Sequence, residues 1–449
     1  MSQAVASKNS MPSGIPFIIG NEAAERFSFY GMKTILMVFM TKYLMEQGRP
    51  AFTDAEAMVW FHNFSSAVYF FPLLGALISD IFWGKYKTIM NLSIVYCLGH
   101  LTLALFESKL GLAAGLTLIA IGAGGIKPCV SAHVGDQFSE GNKELLPRVF
   151  SWFYFSINFG SFFSTLMTPI LLQKYGASVA FGVPGILMFL ATVVFWLGRH
   201  TYRVAPPVGI QHYKKELASP DARMAILNLA GLYFFVAFFW SLYDQTGSAW
   251  VLQAEKMNRM VTFGGQTYEI LSSQIQAVNP ILVMLFVPIF DLLVYPGLRR
   301  FVDVTPLRRI GVGFFLTVIS FSLTAYAESL ITAGQDVSIL WQVASYVVLT
   351  AAEVLVSVTA LEFSYSQAPN SLKSLIMGLY LLSVTFGNTI TSVVNRVIQD
   401  ENGKATLTGS DYYMFFTYLM LGASFLYVFF ARYYKGKTFV QVKAMEGVS

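Results

Sequence analysis

A chain of 449 residues that is 55% hydrophobic, 16% aromatic and only 12% charged, with a mean hydropathy of +0.57, is too apolar for a soluble domain of any size. Its net charge of +5 is distributed as an orientation signal in loops, which leaves no need for a nucleic-acid partner. Two cysteines, Cys97 and Cys129, both inside apolar runs, imply no disulfide framework.

A helix needs about 20 apolar residues to cross a bilayer core of roughly 30 Å. That ruler gives twelve spans, near 15–45, 57–79, 88–106, 110–134, 149–172, 177–198, 224–253, 272–294, 308–327, 339–361, 374–395 and 412–431. Unbroken runs of this length are unlike the short alternating segments of a β-barrel. The stretch Met1 to Pro16 is polar and lacks the pattern of a cleaved signal peptide, so the first span is expected to direct insertion. Alternate segments beginning at the N-terminus hold 19 of the 30 basic residues and the opposite loops hold 7, which places both termini in the cytoplasm. The predicted fold class is all-α integral membrane. Two six-helix bundles are expected at 1–198 and 224–434, with a cytoplasmic linker at 199–223 and a cytoplasmic tail at 435–449.

Charge at mid-membrane costs several kcal/mol, so ionisable residues in these spans are functional candidates. The first span carries Glu22, Glu25, Arg26, Tyr30 and Lys33; at 100° per residue Glu22, Arg26, Phe29 and Lys33 fall within about 60° of arc. An interfacial helix end would also tolerate such charges, but the stripe runs without a break into Ile35 to Met40. The second span holds His62, whose ordinary titration range suits a proton relay although a lone histidine is more often structural, and Tyr69. It ends at Asp80, followed by Gly84, Lys85 and Lys87. The fourth holds Lys127, too deep for its stem to reach an interface easily, and the glycines 122, 124 and 125, whose clustering points to close helix contact. Asn158 follows in the fifth span.

The basic stretch Arg199 to Arg223, with Pro206 and Pro207, is the longest connection and reads either as a segment along the membrane surface or as a free tether. Beyond it, the seventh span has Asp244 between Trp240 and Trp250, the eighth has Asn279 and ends at Asp291 followed by Gly297, Arg299 and Arg300, and the tenth has Glu353. The acid, glycine and basic pair after spans two and eight form an internal echo, as expected of parallel six-helix repeats. Acids in spans 1, 7 and 10 and bases in spans 1 and 4 outline a symporter, with Glu353 and Lys127 matched to the two ends of a zwitterion and the acids satisfied by protons in its absence. No cofactor or metal motif is present, and the coupling ion is expected to be the proton.

These residues carry a family pattern. NEAAERFSFYG at 21–31 resembles the E-x-x-E-R-F-x-Y-Y signature of the proton-dependent oligopeptide transporter family, within the major facilitator superfamily. FYFSINFGSF at 153–162 resembles its F-Y-x-x-I-N-x-G-S motif; SDIFWGKYKT at 79–88, GGIKPCVSAHVGDQF at 124–138, FWSLYDQTGSAW at 239–250 and the stretch around Glu353 also match, in order. The resemblance implies a proton-coupled importer of di- and tripeptides that is not an enzyme. It implies that Glu22, Glu25, Arg26 and Lys127 form a proton-linked cluster, and that Tyr30, Tyr69, Asn158 and Asn279 line the pocket, with Trp240 and Tyr380 assigned to the same pocket. Glu353 would receive the peptide amine, and Lys127 or Arg26 its carboxylate. Asp244 would titrate while paired with Lys33 at an outer gate beside His62, and Asp80 and Lys85 belong to a loop motif of the gate.

Three departures stand out: Phe29 replaces a frequent tyrosine, Lys33 replaces the usual arginine, and Tyr380 replaces a frequent tryptophan. The two extra helices common between the halves of bacterial members and the large outer domain of animal ones are missing from this sequence. The expected partners are peptides, protons and the bilayer, with no obligate protein partner, and the expected location is a bacterial inner membrane. Two alternatives differ in class: a carrier of nitrate or another anion, which would gain nothing from Glu353, and a non-transporting receptor or scaffold, which would be relieved of burying these charges.

Overall fold

The structure is a computed structural model that describes residues 10–434 except 140, 208, 369–372 and 401–404. The tail at 435–449 lies outside the described residues. The chain is almost wholly helical. The membrane helices are α1 (Ile15–Val38), α2 (Asp54–Trp83), α3 (Lys85–Leu105), α4 (Lys109–Asp136), α5 (Leu146–Tyr175), α6 (Ala177–Leu197), α7 (Pro220–Tyr243), α8 (Ser272–Leu298), α9 (Pro306–Thr332), α10 (Leu340–Gln367), α11 (Lys373–Val397) and α12 (Ser410–Tyr433). Among the described residues eleven helices are long and apolar enough to cross a membrane. The twelfth spanning helix, α1, is long enough too but carries Glu22, Glu25, Arg26 and Lys33.

Helices α1 to α6 pack on one another and α7 to α12 do likewise, giving the two six-helix bundles of the major facilitator fold. The bundles meet chiefly where α2 lies against α11 and where α5 lies against α8. Close packing in each bundle depends on absent side chains. A Cβ on Gly160 of α5 would stand 2.6 Å from the Ala23 carbonyl oxygen on α1, and one on Gly387 of α11 would stand 2.5 Å from the Ala237 carbonyl oxygen on α7. Helices 5 and 11 thus meet helices 1 and 7 in the same way, a repeat at the level of packing. The α4 glycines do make close contacts: Gly122 against Tyr96 of α3, Gly124 against Phe71 of α2, and Gly125 against Leu92 of α3 and Gly75 of α2.

The echo after α2 and α8 has a local structural form. Each helix loosens into a π turn, Ser79–Trp83 and Phe290–Val294, and the acid, Asp80 or Asp291, is its second residue. The glycines differ: Gly84 adopts φ +76° between α2 and α3, whereas Gly297 lies inside a helical turn, Tyr295–Leu298. Between α6 and α7 the chain forms a short helix, Ile210–Leu217, and α7 begins at Pro220, ahead of the apolar run that marks it in the sequence. Two small hairpins, β1–β2 (Met45–Glu46, Arg49–Pro50) and β3–β4 (Met260–Phe263, Gln266–Glu269), follow α1 and α7.

Candidate functional site

A cavity of about 230 Å³ lies between the bundles, lined from one by Tyr30, Lys33, Tyr69 and Asn158 and from the other by Trp240, Asp244, Asn279 and Glu353. Local breaks in regular helix aim several of these groups. At the end of α7 a 3₁₀ turn, Asp244–Gly247, leads to a short helix, Ala249–Ala254, so Asp244 sits where the backbone changes direction. In α10, Glu353 immediately precedes a π turn, Val354–Val358. Such turns interrupt the regular hydrogen-bond ladder and recur at functional sites.

Lys33 Nζ lies 3.0 Å from Asp244 Oδ1, with both side chains largely buried, so the pair joins α1 to α7 across the bundles. The second oxygen, Oδ2, accepts from Asn388 Nδ2 at 2.6 Å. Asn388 Oδ1 is 2.8 Å from His62 Nδ1, and His62 Nε2 is 2.8 Å from the Ser248 hydroxyl. His62, Asn388 and Ser248 are fully buried. Lys33 also stands 5.2 Å over the Phe61 ring. Across the cavity, Asn279 Nδ2 donates to Glu353 Oε2 at 2.6 Å and the Tyr243 hydroxyl bonds the same carboxylate. Thr350 accepts a weaker bond from Asn279 at 3.2 Å.

The remaining α1 charges form a separate cluster. Arg26 Nε is 2.8 Å from Glu22 Oε1 and 2.6 Å from Glu25 Oε2, and all three residues are buried. Lys127 does not complete that cluster as an ion pair. Its ammonium stands 4.1 Å over the Phe29 ring and 4.5 Å over the Tyr69 ring. The residues that line the cavity include Tyr69 but not Glu22, Glu25, Arg26 or Lys127. Lys127, over the Phe29 and Tyr69 rings, and the Arg26 cluster are thus set apart from the residues that line the cavity.

Tyr380 is likewise not among the lining residues. It is buried, and its hydroxyl donates to the Ser357 carbonyl of the α10 π turn at 3.2 Å while its ring meets Tyr233 edge-on. Lys85 pairs with Asp136 at 2.7 Å, and Asp80 accepts at its backbone carbonyl from Gly209 of the linker at 3.3 Å. The sequence reading did not single out Asn388, Ser248, Thr350 or Asp136. A neutral amide or hydroxyl in a span costs far less to bury than a charge and stands out less by itself. Asp136, by contrast, was visible at the end of the GGIKPCVSAHVGDQF stretch.

The chain matches the model of the POT family over residues 86–217 and 208–410. It is 38% identical over 368 residues to a Caenorhabditis elegans protein named Peptide transporter 3, an alignment covering 71% of this chain and 51% of the relative. It is 37% identical over 370 residues to human Solute carrier family 15 member 2, covering 71% and 49%. The chain spans about half the length of the curated relatives it matches. Among solved structures, an auto-inhibited POT family peptide transporter superposes with a TM-score of 0.87 at 35% identity, covering 95% of this chain and 98% of that one. The POT family transporter PepTSo superposes at 0.86 with 37% identity, covering 95% and 99%.

Proposed function

The chain belongs to the POT family, and on that premise we propose that it is a proton-coupled symporter that imports di- and tripeptides by alternating access of its two bundles. The observation that supports this most is one cavity, shared by both bundles, that presents an ammonium, Lys33, and two carboxylates, Asp244 and Glu353, among tyrosines and amides. A short peptide is a zwitterion whose two ends are common to all sequences. Reading the ends allows broad selection. Glu353, oriented by Asn279 and Tyr243, is the group for the peptide amine. Lys33 is the cation presented to the cavity itself, and its partner Asp244 is the group a proton can neutralise. Protonating Asp244 frees Lys33 for the peptide carboxylate, so proton and peptide favour each other's binding by simple linkage. Glu22, Glu25, Arg26 and Lys127, behind Phe29 and Tyr69, make the second proton-linked cluster in this reading. Protons serve as the coupling ion with no cofactor.

The basic loops are assigned to the cytoplasm of a bacterial inner membrane, which places the end of α1 outside. An anion carrier is the weaker reading because Glu353 faces the cavity and would repel its cargo. The test is uptake of labelled dialanine into proteoliposomes with and without an inward proton gradient. Gradient-driven accumulation is expected, and Glu353→Gln is expected to lower uptake at least about tenfold, the effect of losing a charge-assisted hydrogen bond. Undiminished uptake by that variant would remove the amine-anchor role.

A further inference from the structure

A second cavity, of about 320 Å³ against about 230 Å³ for the central one, lies at the helix ends assigned to the outside. One wall is the start of α2, with Asp54 and Met58; the other is the second bundle, with Lys256 just past α7, Glu328 near the end of α9, and Tyr412 and Tyr413 at the start of α12. None of these residues lines the central cavity. Glu328 is 3% exposed, an acid buried where the transport reading has no use for it. Burying a carboxylate is costly unless its oxygens are engaged. On one side Gln253 Nε2 donates to Oε2 at 2.9 Å, and Gln253 is itself held through its Oε1 by Gln342 Nε2 at 3.0 Å. On the other side the Lys256 ammonium stands 3.2 Å from Oε1. These partners differ in kind. Both amides are buried and fixed, whereas the Lys256 side chain is 53% exposed, on a flexible stem free to swing into water. Lys256 lies in the field of Asp54 as well, so the cavity holds two carboxylates against one ammonium, beside the apolar surface of Met58 and the tyrosines.

We propose that this cavity is a second ligand site, one that takes a small organic ammonium with an apolar body. The ligand's cation displaces Lys256 from Glu328, and its body lies against Met58, Tyr412 and Tyr413. An anion would find Lys256 there but also two carboxylates, and a lipid tail would leave the buried charge unused. Because each bundle supplies one wall, the site is complete only while the outer ends are together, and an occupant of that form stabilises it. Such a ligand slows peptide exchange without competing for the central cavity. That consequence rests on the transport reading; the binding does not.

Calorimetry on the purified full chain with 2-phenylethylamine tests the binding, with the uncharged 2-phenylethanol and the anionic 3-phenylpropionate as comparison probes. The amine is expected to bind at least about tenfold more tightly than either, and Glu328→Gln to lower its affinity about tenfold. Lys256→Ala is expected to raise that affinity about threefold, because it removes the competing ammonium of a half-exposed pair. Glu353→Gln, in the central cavity, should change it by less than about twofold. Should Glu328→Gln not fold, Leu407→Trp, which fills the cavity from its lining loop, should abolish binding. Equal binding of amine and alcohol would reduce the site to an apolar crevice, and tighter binding of the acid would make Lys256 the ligand. Loss of the amine in Glu353→Gln but not in Glu328→Gln would move it to the central cavity. Each of these results, or no binding of the amine at all, overturns the proposal. In proteoliposomes without a gradient, the amine is expected to lower the maximal rate of labelled dialanine exchange with KM unchanged, and to lose this effect in Leu407→Trp. Binding without that effect would overturn the claim that the occupant holds the bundles together. A protein that exchanges no dialanine would sink the transport reading, and the calorimetry would still decide the site.

Discussion

At the residue scale, Lys127 is held by two aromatic faces rather than by a carboxylate, and one of those faces is the phenylalanine that departs from the family's frequent tyrosine. A ring beneath an ammonium is worth roughly 0.5 to 2 kcal/mol, more as water is excluded. Phe29→Leu removes one face and keeps an apolar side chain, and is expected to lower proton-driven uptake by about tenfold, whereas Phe29→Tyr keeps the face and should stay within about twofold. Equal effects of the two variants would mean that only shape matters at this position. Reading the sequence found Lys127 by its depth in a span, and depth says nothing about which rings lie beside it. The same limit applies to Tyr380, whose hydroxyl is taken by a carbonyl of the α10 π turn that no periodicity announces. Ionisable residues were legible because burying charge is costly; their neutral partners, Asn388 above all, were not, since what distinguishes them is tertiary approach.

At the scale of elements, the spans were legible from hydropathy because lipid imposes a length on every helix, while their ends and breaks were set by packing. The glycines of α5 and α11 are the clearest case. A methyl at Gly160 or Gly387 meets a backbone oxygen at 2.6 or 2.5 Å, and a backbone cannot turn aside as a flexible side chain can. Gly160→Ala or Gly387→Ala is expected to destabilise the protein by about 1 to 3 kcal/mol, read as a lower melting temperature in detergent. Gly422 of α12 has nothing within 4 Å of its Cβ direction, and Gly422→Ala should be neutral or slightly stabilising. A comparable drop for Gly422→Ala would point to a general effect of the substitution rather than to the two close crossings.

At the scale of the whole molecule, the ion pairs that join the bundles among the described residues, Lys33 with Asp244 and Lys42 with Glu255, both lie toward the end of α1 assigned to the outside. The hydrogen bonds of His62, Asn63 and Ser66 to the other bundle fall in the same half of α2. Glu255 stands just past the membrane segment of α7 and accepts from Lys42 and Ser272, with Arg259 at 3.5 Å. Burial alone would raise its carboxyl, but the hydrogen bonds from Lys42 and Ser272 and the two positive charges outweigh that and hold it below its ordinary value of 4.5. The sign follows from linkage: a carboxylate depressed in the closed form stabilises closure fully above its ordinary range and loses that contribution only as pH falls through the lowered value. Between about pH 5 and about pH 7 this outer latch is therefore constant, and any pH dependence of opening in that window has its source in other groups. Spin labels on Met45→Cys and Phe263→Cys, both exposed on opposite bundles, report the outer separation. In a background with the native cysteines replaced, Glu255→Gln should raise the open fraction by a similar factor throughout that range and leave its slope with pH unchanged. A slope that disappears in Glu255→Gln would instead make this latch the element that senses the proton.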